Sequence, residues 1–456
     1  MNTRKYEIDM TNGPLLGKVL LFSIPLMLSG ILQLLFNAAD IVVVGRFVGD
    51  SALAAVGATG ALTNLLINVF IGFSVGTNVL VARSIGSGMD SHASDTVHTS
   101  VLFSLICGVF LAVLGTILAK PLLELMDTPD DVINQAALYM RIYFLGMPVV
   151  MLYNFGNAVM RAIGDTRRPM YYLIIAGIIN VIFNLLFVIQ FKMDVAGVAL
   201  ATIISQAISA ALIIRCLCRL DGVCRLDLKK LRINKRILKQ MVWIGLPAGI
   251  QGAVFSLSNV MIQSSINLFG KTAMAGNTAA ANIEGFIYIA MNSIYQTALS
   301  FTGQNYGAAK FDRIKKVFII CLATVSIIGI VLGNTAYLFG DKLLRIYSPQ
   351  SDVISYGLIR MRYVCCFYLL CGIMDTIVGA LRGLGSSVAP MLISLGGACG
   401  LRILWIYTIF AAKTELDVLY LSYPVTWAIT GAVQFIFFII LYKKCRSRHL
   451  IAAAVH

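Results

Sequence analysis

Apolar residues run along this chain in twelve stretches, at approximately 18–44, 53–85, 97–118, 136–160, 170–190, 195–218, 241–268, 278–301, 317–338, 356–381, 391–411 and 418–442. Carrying an α-helix across roughly 30 Å of hydrocarbon takes about 20 such residues. Polar and basic residues gather in the short breaks, so the pattern predicts an all-α membrane protein with twelve transmembrane helices. The pattern is also written twice. M-R-A-I-G-D-T-R-R-P at 160–169 returns as L-R-G-L-G-S-S-V-A-P at 381–390, 221 positions later, and the same shift pairs Val132 with Val353, Arg141 with Arg362 and Gly86 with Gly307. Six stretches fall in each half. Because six is even, both halves enter the membrane from the same side, which predicts two parallel-repeat six-helix bundles facing a central site. Residues 1–218 and 240–456 are the expected bundles, with 219–239 between them.

Composition agrees: 59% of residues are hydrophobic, 12% are charged and the mean hydropathy is +0.85. The net charge of +15 is a topology signal rather than a nucleic-acid footprint. With the amino terminus inside, 25 of the 36 lysines and arginines fall in inner segments, and the excess of basic residues marks the cytoplasmic side. Both termini are therefore expected in the cytoplasm, in a multi-pass protein of the plasma (inner) membrane. The first apolar run is too long for a signal peptide and reads as a retained helix. The segment 219–239 interleaves leucines and isoleucines with lysines and arginines, the pattern of a basic helix lying in the inner interface and tying the bundles together.

Enzymatic chemistry finds little to work with. Most of the ten cysteines sit in apolar spans as small hydrophobes, Cys216 and Cys218 are one residue too close for a C-x-x-C chelate, and the four histidines lie near loops or the tail. No metal set, no cofactor and no acid–base pair is expected, and the absence of selectivity loops disfavours a channel.

Ionisable groups inside a membrane are costly, so those retained are functional candidates. Of the 21 acidic residues, three fall within spans: Asp40, Glu284 and Asp375. Asp40 lies fifteen residues after Pro25 on the first helix, about 22 Å along its axis. Its repeat partner is Met261 or Ile262, so the carboxylate belongs to one half only. The amides follow suit: Asn180 and Asn184, four apart on one face of the fifth helix, pair with Leu401 and Trp405, and Asn157 pairs with Val378. Asp40, Asn157, Asn180, Asn184 and Thr202 make a first-half set of oxygen ligands suited to a small hard cation, with Asp40 and Asn180 as direct Na⁺ ligands. A proton on the carboxylate is the equal alternative. Pro25 is the expected hinge beside this group.

In the second half, Gln251, Asn259, Gln263, Glu284, Tyr288, Asn292, Tyr295 and Gln296 make the seventh and eighth helices unusually polar, as if facing a wet cavity. Glu284, Tyr288 and Tyr295 share a helix face on which a carboxylate and aromatic rings can receive an organic cation. Asp375 and Arg402 are expected either to join that substrate site or to form a buried pair.

These features together carry a resemblance. The twin six-helix repeat, the proline-to-aspartate first helix followed by G-R-F-V-G-D-S-A-L-A-A-V-G, the G-Q-N-Y-G-A-A after the eighth helix and the paired R-A-I-G-D-T and R-G-L-G-S-S turns resemble the multidrug and toxic compound extrusion (MATE) family over nearly the whole chain. The resemblance implies a V-shaped pair of bundles around a central cleft, alternating access, and export of cationic amphipathic drugs in exchange for H⁺ or Na⁺. It also implies that Asp40 is the coupling carboxylate. Two departures bear on the ion: Asn184 stands where some members carry a second acid, and Phe255 where the seventh helix of others has glutamate. A flippase for lipid-linked sugars shares this duplicated architecture by resemblance. Its anionic cargo calls for a basic cavity, whereas the sequence offers one central arginine, Arg402, against three acids. The partners expected are lipid and small organic cations, with no nucleic acid, and the protein is expected to be a monomer.

Overall fold

The computed structural model describes residues 6–126 and 128–455, leaving aside the side chains of several residues between 50 and 65, of 130 and 131, and of 451–455; Arg4, Lys5 and His456 lie outside it. The described chain is helical without a strand, in the order α1 Leu15–Phe47, α2 Asp50–Gly86, α3 Asp90–Leu125, α4 Asp130–Leu145, α5 Met147–Ala162, α6 Arg167–Leu185, α7 Asp194–Cys218, α8 Lys235–Asn267, α9 Lys271–Gly307, α10 Phe311–Leu338, α11 Gly340–Arg345, α12 Ser351–Val364, α13 Tyr368–Gly383, α14 Val388–Ser394, α15 Arg402–Trp405 and α16 Leu416–Val455.

Among the described residues nine helices are long and apolar enough to cross a bilayer, and two bent pairs raise this to eleven: α4 with α5 at 49° and α12 with α13 at 47°. The twelfth apolar stretch lies on α9, which stays outside that count: its 37 residues are diluted by polar side chains buried inside the protein, among them Asn277, Glu284, Gln304 and Asn305. The duplication is copied in the backbone. α2 and α9, α4 and α12, α5 and α13, and α6 and α14 each start 221 residues apart, bends included. A π-helical segment ends the α6 span at Leu186–Gln190 and recurs in the second repeat at Ile406–Phe410, while Leu395–Leu401 adds another that the first repeat lacks.

Two compact units emerge. One holds Leu28–Gly249 with the residues up to Asp9; the other holds Met10–Met27 with the chain from Ile250 onward. α1 and α8 therefore each contribute to both units, and each changes over two residues after its internal proline, Pro25 or Pro247. In the first unit the early half of α8 is sewn to α2 by glycine: a Cβ on Gly72 would overlap the backbone of Gly249, and one on Gly76 the carbonyl of Met241. In the second unit, the Phe22 ring of α1 meets Phe301 of α9 edge-on at 5.5 Å.

The linker departs from expectation. Residues 219–234 form no interfacial helix; their helical content is one 3₁₀ turn, Leu228–Lys230. Leu220, Cys224 and Leu226 bury themselves in the first unit's core, and α3 captures the residues from Asp227 to Asn234. Asp95 accepts from Arg232 at 2.7 Å and from Asn234 at 3.3 Å, Thr99 donates to the Arg232 carbonyl, and His98 Nε2 accepts from the Asp227 N–H. Burying the leucines on one side and satisfying the polar groups on the other leaves no repeating turn for a helix to follow.

Candidate functional site

In the first unit, α1, α6 and α7 bring together Asp40, Asn180, Asn184 and Thr202. α1 comes close to α6 because position 177 is glycine, where a Cβ would overlap the Phe36 ring. One turn on, Asn180 and Asn184 point from the same face of α6, as their spacing predicts. The Asn184 amide donates to Asp40 Oδ1 and, at 3.3 Å, to Asn180 Oδ1. Both asparagines are buried, and Asn184 Oδ1 finds no hydrogen-bond partner in the described structure. The Thr202 hydroxyl donates to the Val198 carbonyl at 3.0 Å and lies within hydrogen-bonding range of the Asp40 carboxylate. Tyr139 and Tyr143 of α4, stacked with ring centroids 6.2 Å apart, sit close enough to feel the charge of Asp40. Neither tyrosine stands out in the sequence, since one turn of aromatic spacing on an apolar helix reads as packing.

This set consists of one carboxylate, two amides, a hydroxyl and two phenols, with no basic side chain bonded to the carboxylate among the described residues. It offers oxygen donors to a small cation or a resting place for a proton. No cluster of three histidine, cysteine or acidic side chains exists among the described residues, so the donor set does not suit a transition metal. Asn157 does not join it. Measured from the turn between α5 and α6, Asn157 lies about 8 Å along its helix and Asn184 about 26 Å. The Asn157 Oδ1 is buried with no partner at its own level.

The second unit corrects several expectations. Glu284 does not wait for a cation: Arg360 of α12 grips it bidentately, Nε to Oε1 at 2.8 Å and a terminal nitrogen to Oε2 at 2.6 Å. The other terminal nitrogen of Arg360 donates to Asn277 at 2.6 Å, which also accepts from the Tyr420 hydroxyl, and the guanidinium lies over the Tyr420 and Tyr423 rings. Tyr295 is likewise engaged, its hydroxyl accepting from Arg382 at 2.6 Å while Arg382 also donates to Gln251 at 2.9 Å. Asp375 and Arg402 form no ion pair. Arg402 stacks on Tyr423 at 4.2 Å and reaches Thr426 at 3.4 Å, and its Nε has no partner. Asp375 instead bonds to Tyr288, which Asn292 also engages. Tyr288 is 40% exposed and Asp375 half-buried, so neither is sealed inside the unit.

Three arginines, not one, are buried in this unit: Arg360, Arg382 and Arg402. The sequence concealed two of them. Arg382 belongs to the R-G-L-G turn motif and counts there as a loop charge, and Arg360 sits 76 residues from its carboxylate. The usable signal was Glu284 itself, because an acid in a span needs a partner.

Relatives share this plan. A profile of the MatE family matches residues 25–186 and 247–408, one copy to each repeat. The chain is 28% identical to a probable multidrug resistance protein, YoeA of Bacillus subtilis, over 94% of this chain and 95% of that protein. It is 26% identical to a FAD transporter of Shewanella oneidensis, over 83% and 85%. Its backbone superposes on a crystal structure of MATE in complex with MaL6 with a TM-score of 0.90, at 20% identity, over 98% and 99% of the two chains. With both repeats matched and nine to eleven membrane spans among the described residues, this chain is a multi-pass membrane transporter of the MatE family.

Proposed function

We propose that this transporter is a secondary active antiporter that exports amphipathic organic compounds by alternating access, in exchange for H⁺ or Na⁺ at Asp40. The observation that carries the reading is the Asp40, Asn180 and Asn184 group: a carboxylate in a membrane span without a bonded basic partner, beside a buried amide oxygen that lacks a donor. Such a group gains a partner when a cation or proton arrives. A ligand shifts a conformational equilibrium only through unequal affinity for its states, and changing the charge on Asp40 supplies that inequality. Pro25, next to the point where α1 passes from one compact unit to the other, is the hinge in this reading. Cationic drugs are received in the second repeat at Asp375, Tyr288 and Asn292, by charge and by the ring face. The protein works as a monomer in the plasma membrane with both termini in the cytoplasm, and the multidrug resistance name of the Bacillus subtilis relative supports the substrate class. Efflux of a fluorescent cation from vesicles, driven separately by a sodium gradient and by a pH gradient, tests it. One gradient should drive uphill export, and indifference to both rejects antiport.

A second reading has its own observation. Arg402 is buried, lacks an acidic partner among the described residues and has a partnerless Nε. An acid-bearing cargo would satisfy it, which suits either a flippase for lipid-linked sugars or a carrier of anionic compounds such as the Shewanella relative's name describes. Transport of an anionic amphiphile that Arg402→Gln abolishes, with cation export absent, selects this reading.

A further inference from the structure

The second unit carries a pocket lined by none of the residues assigned above to ion coupling or substrate binding. Around the first turn of α10 and the last turns of α16, a cavity of about 420 Å³ is lined by Lys310, Phe311, Arg313, Lys316, Arg446 and His449, with Ala309, Asp312 and Leu450 completing it. Four lining residues are cationic and one is acidic. The acid, Asp312, reaches Arg446 at 3.3 Å. The chain ahead of α1 fixes two of the cations: Lys310 donates to the Thr11 carbonyl at 2.9 Å, and Arg313 to the carbonyls of Met10, Asn12 and Gly13 at 2.7–3.0 Å.

The depth of the pocket identifies its ligand. The Tyr442 hydroxyl donates to the Phe311 carbonyl at 3.1 Å, which sets α10 and α16 level with each other. From that level α16 is apolar in one direction and reads Lys443, Lys444, Arg446, Arg448 in the other, while α10 is basic through Lys316 and apolar from Val317. Both helices thus change from apolar to basic at the pocket, the depth of lipid headgroups on the positively charged side. Phe311 and Leu450 give it an apolar wall, and the His449 ring lies 5.5 Å from that of Phe311. The duplication does not explain it. In the first repeat Met89, His92 and Asp95 stand 221 positions before Lys310, Arg313 and Lys316, and Asp95 is bonded to Arg232 of the linker.

We propose that this pocket binds the phosphate headgroup of an anionic phospholipid of the adjoining leaflet. The test uses the full-length transporter in nanodiscs of phosphatidylcholine doped with phosphatidylglycerol, with retained lipid identified by native mass spectrometry. Wild type should retain phosphatidylglycerol preferentially. Lys316→Gln combined with Arg446→Gln, both on the exposed surface, should cut that preference about tenfold or more, while Lys342→Gln in α11 should leave it unchanged. Equal retention of both lipids by the wild type, or an unchanged preference in the double variant, overturns the site. Glycerol 3-phosphate, titrated into discs of phosphatidylcholine alone, separates the sources. Binding as tight as that of the lipid, and lost in the double variant, would assign the pocket to a soluble phosphate compound and overturn the lipid.

Discussion

Tyr139 of α4 and Arg360 of α12 occupy the same place in the two repeats, 221 positions apart; Tyr139 lies within electrostatic reach of Asp40, and Arg360 is bonded to Glu284. Around Asp40 the neighbours are two phenols, two amides and a hydroxyl. Around Glu284 they are a guanidinium, an amide and two aromatic rings. The first carboxylate has no bonded positive partner of its own and is left to acquire one from outside; the second has been supplied with one for good. Breaking a buried pair by removing one member costs about 3–5 kcal/mol, so the Glu284 and Arg360 pair behaves as scaffold. A duplicated backbone can thus hold an exchangeable charge in one copy and a fixed one in the other. The two carboxylates sit on different helices of the repeat, Asp40 on α1 and Glu284 on α9, so both the acid and its neighbours have diverged.

The sharpest break of this comparison is Asp40→Asn. Uphill efflux should fall to background while the protein remains inserted and still binds drug, since no bonded basic group is left stranded; retention of ion-driven export would move coupling elsewhere. In the second repeat the same chemistry should strike stability first. Arg360→Gln is expected to destabilise by about 3–5 kcal/mol, read as a lower melting temperature in detergent, and Glu284→Leu with Arg360→Met should recover most of it. Efflux by that double variant would confirm that Glu284 is not a substrate ligand. A smaller effect is expected at Asn184→Ala, which removes the partnerless amide oxygen beside Asp40 and, with sodium as the coupling ion, should raise the sodium concentration for half-maximal efflux about tenfold. With a proton as the coupling ion, the loss of a donor to the carboxylate should instead lower the proton concentration needed. Tyr288→Phe should change half-maximal concentrations only for cationic substrates, by about threefold, as the hydroxyl on Asp375 is lost. Smallest is a contrast in thiol chemistry. Burial pushes the Cys224 thiol up to about 12, so maleimide should label it slowly at pH 7 and faster as pH rises, whereas half-exposed Cys445 is open to reagent. Rapid labelling of Cys224 at pH 7 would show that the linker leaves the first unit's core.

The fold was legible because span length and a constant shift survive in sequence without knowledge of contacts. Eleven of the twelve apolar runs fall on helices or bent pairs long and apolar enough to cross a bilayer, and the remaining run, 278–301, lies on α9, the repeat counterpart of α2. Asp40, Asn180 and Asn184 were legible for the same reason: the two amides share a helix face, and none of the three has a counterpart in the other copy. Partners that lie on different helices were not. Arg382 looks like the many basic residues that mark topology and Arg360 like a charge at a helix end, and only the packing of α9 against α12 and α13 makes them internal. The linker misled for a related reason, because alternating leucines and arginines serve an interfacial helix and a docked loop equally well until Asp95 and His98 are in view.

The crossing of α1 and α8 between compact units, each two residues beyond its proline, bears on the origin of the chain. A half-length ancestor carrying one copy of the repeat would have lacked, within its own bundle, the start of its first helix, and a second copy would have had to lend it. Two such copies would complete one another by exchanging an identical segment, the arrangement of a domain-swapped homodimer. In the present chain the linker makes that exchange independent of concentration. Cutting the present gene between 219 and 234 should restore that dependence, giving two fragments stable only when made together.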